Sequence, residues 1–271
     1  MISDEHKVRL KKQEEEIAKN MGLIKHRIVV FSGKGGVGKT TVSIAISYGL
    51  NKHNYKAGLL DADITGPNVP KMLGLDEEVH SNNNKIEPLY RNGLKIISTA
   101  NMIAADQAVA WRGPMRSRLL YQFLGRVNWG KLDYLVADLP PGTGDEIITL
   151  TQEMKPDMAV IVTTPQTISL IDSARAVYLA KEMKIPNIGI IENMSGFICP
   201  KCKEKIDIFD VGGGEKQAKE LSVSYLGNIP LDIETRKTAD LGKFFNLKNT
   251  DSSFSNSISA IVENIESILE N

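Results

Sequence analysis

The chain has no excess of either charge: 33 Lys and Arg stand against 33 Asp and Glu. Nothing in that balance calls for nucleic acid or an anionic membrane as a partner. Cysteine is scarce, with 2 in 271 residues, too few for the disulfide framework of an extracellular domain. No apolar run is long enough to span a bilayer. Met1-Ile2-Ser3-Asp4-Glu5-His6 lacks the apolar stretch of a secretory signal. The expected location is therefore the cytoplasm. His6, His26, His53 and His80 are dispersed and show no paired ligand spacing.

What is present is a core and a loop. Apolar residues make up 42% of the chain, enough for a sizeable interior. The run Gly33-Lys34-Gly35-Gly36-Val37-Gly38-Lys39-Thr40-Thr41 fits the phosphate-binding loop pattern. An apolar stretch, Ile28 to Phe31, precedes it, and Thr41 to Leu50 has the spacing of a buried helix. Glycines let successive backbone N–H groups turn toward an anion. The start of the helix adds unpaired N–H groups and partial positive charge. Lys39 is expected on the outer phosphates and the Thr40 hydroxyl on Mg²⁺. Lys34 is a second lysine in the loop. It either points into water or crosses a dimer interface to the partner's nucleotide, and this spelling resembles the deviant P-loop of the clan containing MinD, ParA and the nitrogenase iron protein.

Further apolar segments end in acids. Ala57 to Leu60 closes on Asp61-Ala62-Asp63, and Leu132 to Ala137 closes on Asp138. Ligands of parallel sheets sit beyond the strands' carboxyl ends. Asp61 and Asp63 are placed there to orient water and join the Mg²⁺ shell, directly or through water. Asp138 is expected beside Mg²⁺ through water. Pro140-Pro141-Gly142-Thr143-Gly144-Asp145 follows as a loop able to sense the γ-phosphate. Met158 to Thr163, Ile188 to Ile191 and Tyr225 to Ile229 read as further strands, and Ile168 to Met183 as a helix. Asn193, at the end of one strand, carries an amide that can address a purine edge. Together these predict a doubly wound, mostly parallel α/β sheet over residues 23–271, preceded by a charged arm or solvated helix over residues 1–22.

Cys199-Pro200-Lys201-Cys202 lies in a late loop. Half a metal site, a redox dithiol, a zinc knuckle and two unlinked thiols all remain open. A tetrahedral thiolate site needs four ligands, so it would be shared between two chains about a twofold axis. Residues 76–93 are polar and suggest a surface loop or edge hairpin. A helix from Ser117 to Leu124 follows Trp111-Arg112-Gly113-Pro114. The final helix places Phe254, Ile258, Ile261, Val262, Ile265, Ile268 and Leu269 on one face and Glu263, Glu266 and Glu270 elsewhere. That pattern fits packing on the core rather than a membrane surface.

Several stretches together carry a family resemblance: Gly33–Thr41, Leu60-Asp61-Ala62-Asp63-Ile64 with Gly66-Pro67, Trp111–Pro114, Asp138–Asp145, Thr164-Pro165-Gln166, and Glu192-Asn193-Met194-Ser195 with Cys199–Cys202. From about residue 24 to about residue 240 the chain resembles the Mrp/ApbC family of P-loop ATPases, which act as iron–sulfur cluster carriers. The resemblance implies a homodimer binding a 4Fe–4S cluster through Cys199 and Cys202 of both chains. It also implies slow ATP hydrolysis coupled to cluster binding or transfer to apo-proteins. Lys34, Lys39, Thr40, Asp61, Asp63 and Asp138 match nucleotide or Mg²⁺ positions of the clan, and Asn193 matches a base-contacting one. The chain departs from the family where Asp210 replaces a frequent glycine and where Gly242-Lys243-Phe244-Phe245 replaces Gly-x-Pro. A ParA/MinD-like positioning ATPase and a zinc-bridged ATP-binding dimer are the rival expectations.

Overall fold

The structure is a computed structural model that describes residues 4–82, 85–102, 113–244 and 252–270. In chain order it contains α1 (Asp4–Met21), β1 (Ile24–Phe31), α2 (Lys39–Lys52), β2 (Ala57–Asp61), α3 (Val69–Leu73), β3 (Ser81–Asn82), β4 (Lys85–Ile86), β5 (Leu89–Arg91) and β6 (Leu94–Ser98). Then come α4 (Gly113–Gly125), β7 (Leu132–Asp138), α5 (Asp145–Met154), β8 (Met158–Thr163), α6 (Thr167–Glu182), β9 (Asn187–Ile198) and β10 (Lys205–Ile206). The chain closes with α7 (Gly213–Glu220), β11 (Ser224–Leu231), α8 (Ile233–Asp240) and α9 (Ser253–Leu269).

One sheet of 9 strands runs in the order β10-β9-β8-β1-β7-β2-β6-β5, with β11 also paired to β9. Seven of its strands, β1, β2, β6, β7, β8, β9 and β11, pair in parallel. Only the short β5 and β10 run antiparallel. The expectation of a doubly wound, mostly parallel sheet holds. The central strands carry continuous buried apolar runs, such as Ile28–Phe31 of β1 and Met158–Val162 of β8, because both faces are covered. In β1, Val29 and Phe31 join one core, while Ile28 and Val30 join the other. Helices α1, α4, α5 and α6 cover the first face, and α2, α3 and α9 the second.

Several boundaries differ from the sequence reading. Helix α2 starts at Lys39, two residues early, so the motif's lysine and threonine are already helical. Strand β9 does not stop at Ile191: it pairs with β8 through Glu192, then runs on with β11 to Phe197. A neighbouring strand, not local propensity, extends it. Residues 4–21 form a helix rather than a loose arm. Ile17 and Met21 are buried, and the Asn20 amide donates to the Leu124 and Val127 carbonyls at 2.7 and 2.9 Å. Helix α4 begins at Gly113; Trp111 and Arg112 lie outside the described residues. Of residues 76–93, read as a surface loop or edge hairpin, β3 and β4 pair antiparallel as a separate short ladder, and β5 joins the sheet edge against β6.

Helix α9 packs on the core as its spacing requires. Ser252 caps it, accepting from the Ser255 N–H at 3.1 Å. Phe254, Ile258, Ile261, Val262 and Ile265 are buried, each stabilising by about 1.5–3 kcal/mol before entropy is counted. At its far end Glu270 accepts from Tyr134 Oη at 3.1 Å and from Lys25, and meets His26 Nε2. Among the described residues no helix is long and apolar enough to cross a membrane.

Candidate nucleotide and thiolate sites

Register brings the acids to the loop. β7 lies between β1 and β2, with Val30 opposite Asp138 and Asp61 opposite the same Asp138. The carboxyl ends of three adjacent strands therefore converge on the Gly33–Thr41 turn, where the strand order changes direction.

Asp138 is the hub. Its buried carboxylate accepts from Lys39 Nζ at 2.8 Å, Thr40 Oγ1 at 2.7 Å and Ser43 Oγ at 2.8 Å. Lys39 is itself only 7% exposed. Burial of this pair is tolerated because each Asp138 oxygen has a donor. Ser43 is a site residue that sequence reasoning missed; it lies one helical turn past Lys39, whose carbonyl its hydroxyl also reaches at 3.0 Å.

Asp61 sits alongside without touching a cation. Its carboxylate accepts from Ser98 Oγ at 3.0 Å and from the Val69 N–H at 3.2 Å. Complete burial, and then the neighbouring Asp138 charge, push its pKa up to about 8, against the opposing pull of Ser98, Lys39 and the Val69 N–H. Asp63 turns away into its own loop, accepting from Thr65 Oγ1 at 3.3 Å and the Gly66 N–H at 3.1 Å.

The glycines answer to close contacts. A Cβ on Gly33 would lie 2.0 Å from the Asp172 carbonyl oxygen of α6, and one on Gly38 would lie 2.2 Å from Asn193 Nδ2. Gly38 also has a φ of 83°, a left-handed conformation natural to glycine. Asn193 was expected at a strand end facing a base. It stands within β9, and its amide donates to the Val37 carbonyl at 2.8 Å, so its Oδ1 and second N–H are left for a purine. Lys34 is half-buried, and among the described residues it has no carboxylate partner. Gly35 and Gly36 are exposed in the loop, and Thr41 lies in the first turn of α2.

A cleft of ≈ 460 Å³ opens beside Gly38, Thr41 and Asn193, with Asn68, Leu231 and Arg236 on its other walls. The buried Thr235 Oγ1 at its lining has no partner among the described residues. The oxygen donors Thr40 and Asp138 suit Mg²⁺, a hard cation that prefers oxygen ligands.

The thiols occupy the tip of the β9–β10 hairpin. The Cys199 N–H donates to the Glu204 carbonyl and the Lys203 N–H to the Cys199 carbonyl, each at 2.9 Å. Cys199 is half-buried and Cys202 exposed, both free. The Cys202 and Lys201 backbone N–H groups, with the Cys202 thiol, hold the Cys199 thiol below its ordinary value. At the hairpin's base Glu192 is fully buried. It accepts from Ser195 Oγ at 2.5 Å and from the Gly212 and Gly214 N–H groups at 2.9 and 2.5 Å. Among the described residues no three His, Cys, Asp or Glu side chains gather as a metal site.

Known proteins match this chain over most of its length. An iron-sulfur cluster carrier protein of Methanocaldococcus jannaschii is 48% identical over 264 residues, covering 95% of this chain and 91% of that protein. A cytosolic Fe-S cluster assembly factor NUBP2 homolog of Dictyostelium discoideum is 41% identical over 252 residues, covering 90% and 95%. Among solved structures, a nucleotide-binding protein of Archaeoglobus fulgidus in complex with ADP superposes with a TM-score of 0.77 at 37% identity, covering 86% of this chain and 93% of that one. The MinD cell division protein of Aquifex aeolicus, at 22% identity, TM-score 0.66 and coverage of 89% and 97%, shares the fold. The family model of the NUBPL iron-transfer P-loop NTPases, within the ParA group, matches residues 23–266, and the chain belongs to that family.

Proposed function

We propose that this protein binds and slowly hydrolyses ATP and, as a homodimer, carries a 4Fe–4S cluster for transfer to apo-proteins. The observation that carries the reading is the Cys199/Cys202 pair. It offers two free thiols at an exposed hairpin tip, half of the four thiolates that such a cluster takes. A second copy supplies the other half. The names of the relatives from Methanocaldococcus jannaschii and Dictyostelium discoideum support the cargo.

At the nucleotide, the P-loop amides and Lys39 stabilise charge on the transferring phosphoryl group. For that, Lys39 must exchange Asp138 for phosphate oxygens, and Thr40 must turn its hydroxyl oxygen outward. Thr40 and Asp138 would hold Mg²⁺, which would supply neutralising charge at the phosphate oxygens. Asp63, freed from its turn, would join the same shell. Asp61 would orient the attacking water. Lys34 of each chain reaches the nucleotide of the other. Asn193 Oδ1 meets the base. The setting is expected to be cytoplasmic.

The test is reconstitution without oxygen. Iron, sulfide and visible absorption are measured on the dimer, beside a Cys199→Ser/Cys202→Ser variant. About four irons per dimer, lost in the variant, are expected. A colourless protein holding zinc overturns the cargo. Phosphate release from ATP that persists in Lys39→Ala overturns the ATPase.

A further inference from the structure

A second concave surface lies far from the nucleotide. It is a groove of ≈ 490 Å³ walled by α1 and α4, within the size range of small-ligand sites. Its position is fixed by Leu23, which lines it and directly precedes β1. The P-loop follows the other end of that eight-residue strand, about 25 Å away at ordinary strand rise. The cysteine hairpin also follows the carboxyl end of its strand. A partner copy meeting the P-loop and the thiols therefore leaves the groove open.

The groove is built rather than incidental. Buried Asn20 clamps α1 to the Leu124 and Val127 carbonyls, and Ile17 lies against Gly125, where an added Cβ would meet it at 3.3 Å. On these fixed walls stand Lys12, Lys19, Lys85, Arg118 and Arg126. Glu16 is the one carboxylate among the lining residues, and it lies 3.7 Å from Arg126. Among the described residues the other four cations have no carboxylate partner. This concentration occurs in a chain whose total charge is zero.

We propose that the groove docks a carboxylate-rich segment of a partner protein. Five cations around one concavity focus a field that attracts and orients an acidic chain. Gln13, Gln122 and the Tyr121 ring on the same walls suit peptide bonds and side-chain stems, since amides both donate and accept. A duplex or a membrane needs an extended basic face, and a groove of this volume offers none.

Binding of a fluorescein-labelled decaglutamate peptide, followed by anisotropy on the full chain at low salt, tests the proposal. Saturable binding that weakens with added salt is expected. Lys12→Glu/Arg118→Glu weakens it at least about tenfold, as expected when two charge-assisted contacts are reversed. Lys216→Glu/Lys219→Glu on α7 leaves it unchanged. Circular dichroism verifies that the variants are folded. Equal binding by the groove variant overturns the proposal, as does equal weakening by the α7 variant. Displacement of the peptide by an oligothymidylate at lower concentration than unlabelled decaglutamate assigns the groove to nucleic acid instead. The measurement uses neither nucleotide nor cluster, so its failure leaves the carrier reading intact.

Discussion

The side-chain amide of Asn193 donates to the backbone carbonyl of Val37 at 2.8 Å. This contact joins the strand that ends in the cysteine hairpin to the loop expected to hold phosphate. Five residues separate Asn193 from Cys199 along one chain segment, so a shift of the P-loop has a short mechanical route to the thiols. Asn193→Ala removes the donor. Nucleotide affinity is expected to fall about tenfold, the worth of one buried hydrogen bond. Asn193→Asp places a like charge beside the phosphates and costs more. Calorimetric titration with ADP ranks the two; an Asp variant that binds as well as wild type refutes the contact's role.

Lys39 and Asp138 form a buried ion pair, and removing one partner strands the other. Lys39→Ala should abolish nucleotide binding and also destabilise the empty protein by about 3 kcal/mol, though Thr40 and Ser43 still donate to the carboxylate. Urea unfolding checks the second effect. Unchanged stability would refute the contribution of the pair to the empty protein.

The Asp61 carboxyl is pushed up to about 8 in the folded state, chiefly by burial, from an ordinary carboxylate value of 3.8. Below the lower value both folded and unfolded states hold the proton, and no penalty exists. Between the two values the unfolded chain loses the proton while the folded one keeps it. Stability therefore falls as pH rises through that window, by up to about 1.4 kcal/mol per pH unit, and levels off above it. Asp61→Asn removes this slope. Unfolding of nucleotide-free wild type and variant at pH 5 and about pH 7.5 should show the variant gaining relative stability at the higher pH. Parallel pH profiles would contradict the assignment.

Glu192 satisfies Ser195 and the first amides of α7 with one buried carboxylate. Glu192→Ala leaves those donors unpaired and should cost about 3 kcal/mol. The base of the cysteine hairpin loosens with it. Iron retention after reconstitution should drop while ADP affinity stays near wild type. Loss of both together would point to general misfolding instead.

Asp210 stands where the family often has glycine, and its φ is 77°. A left-handed non-glycine residue costs roughly 1–2 kcal/mol, partly offset here by the Val211 N–H bond to its own carboxylate. Asp210→Gly should stabilise by about 0.5 kcal/mol once glycine's added chain entropy is subtracted. Thermal melting reads the shift; a lower midpoint shows that the side-chain bond outweighs the strain.

The sequence by itself determined the sheet and the loop. Continuous apolar runs demanded strands covered on both faces, and the glycine spacing with Lys39 and Thr40 demanded an anion site, because backbone conformation there is set by local residues. The Cys199/Cys202 pair was also legible, since its spacing survives any packing. Tertiary structure decided the rest. Register alone brought Asp138 onto Lys39, Thr40 and Ser43, and burial beside the Asp138 charge raised the pKa of Asp61. Only pairing with β11 carried β9 past Asn193 and turned that amide to Val37. The cationic groove was invisible in a charge-balanced sequence, because Lys12, Lys85 and Arg118 lie far apart along the chain. Folding one helix against another collects them, and no local pattern encodes that distance.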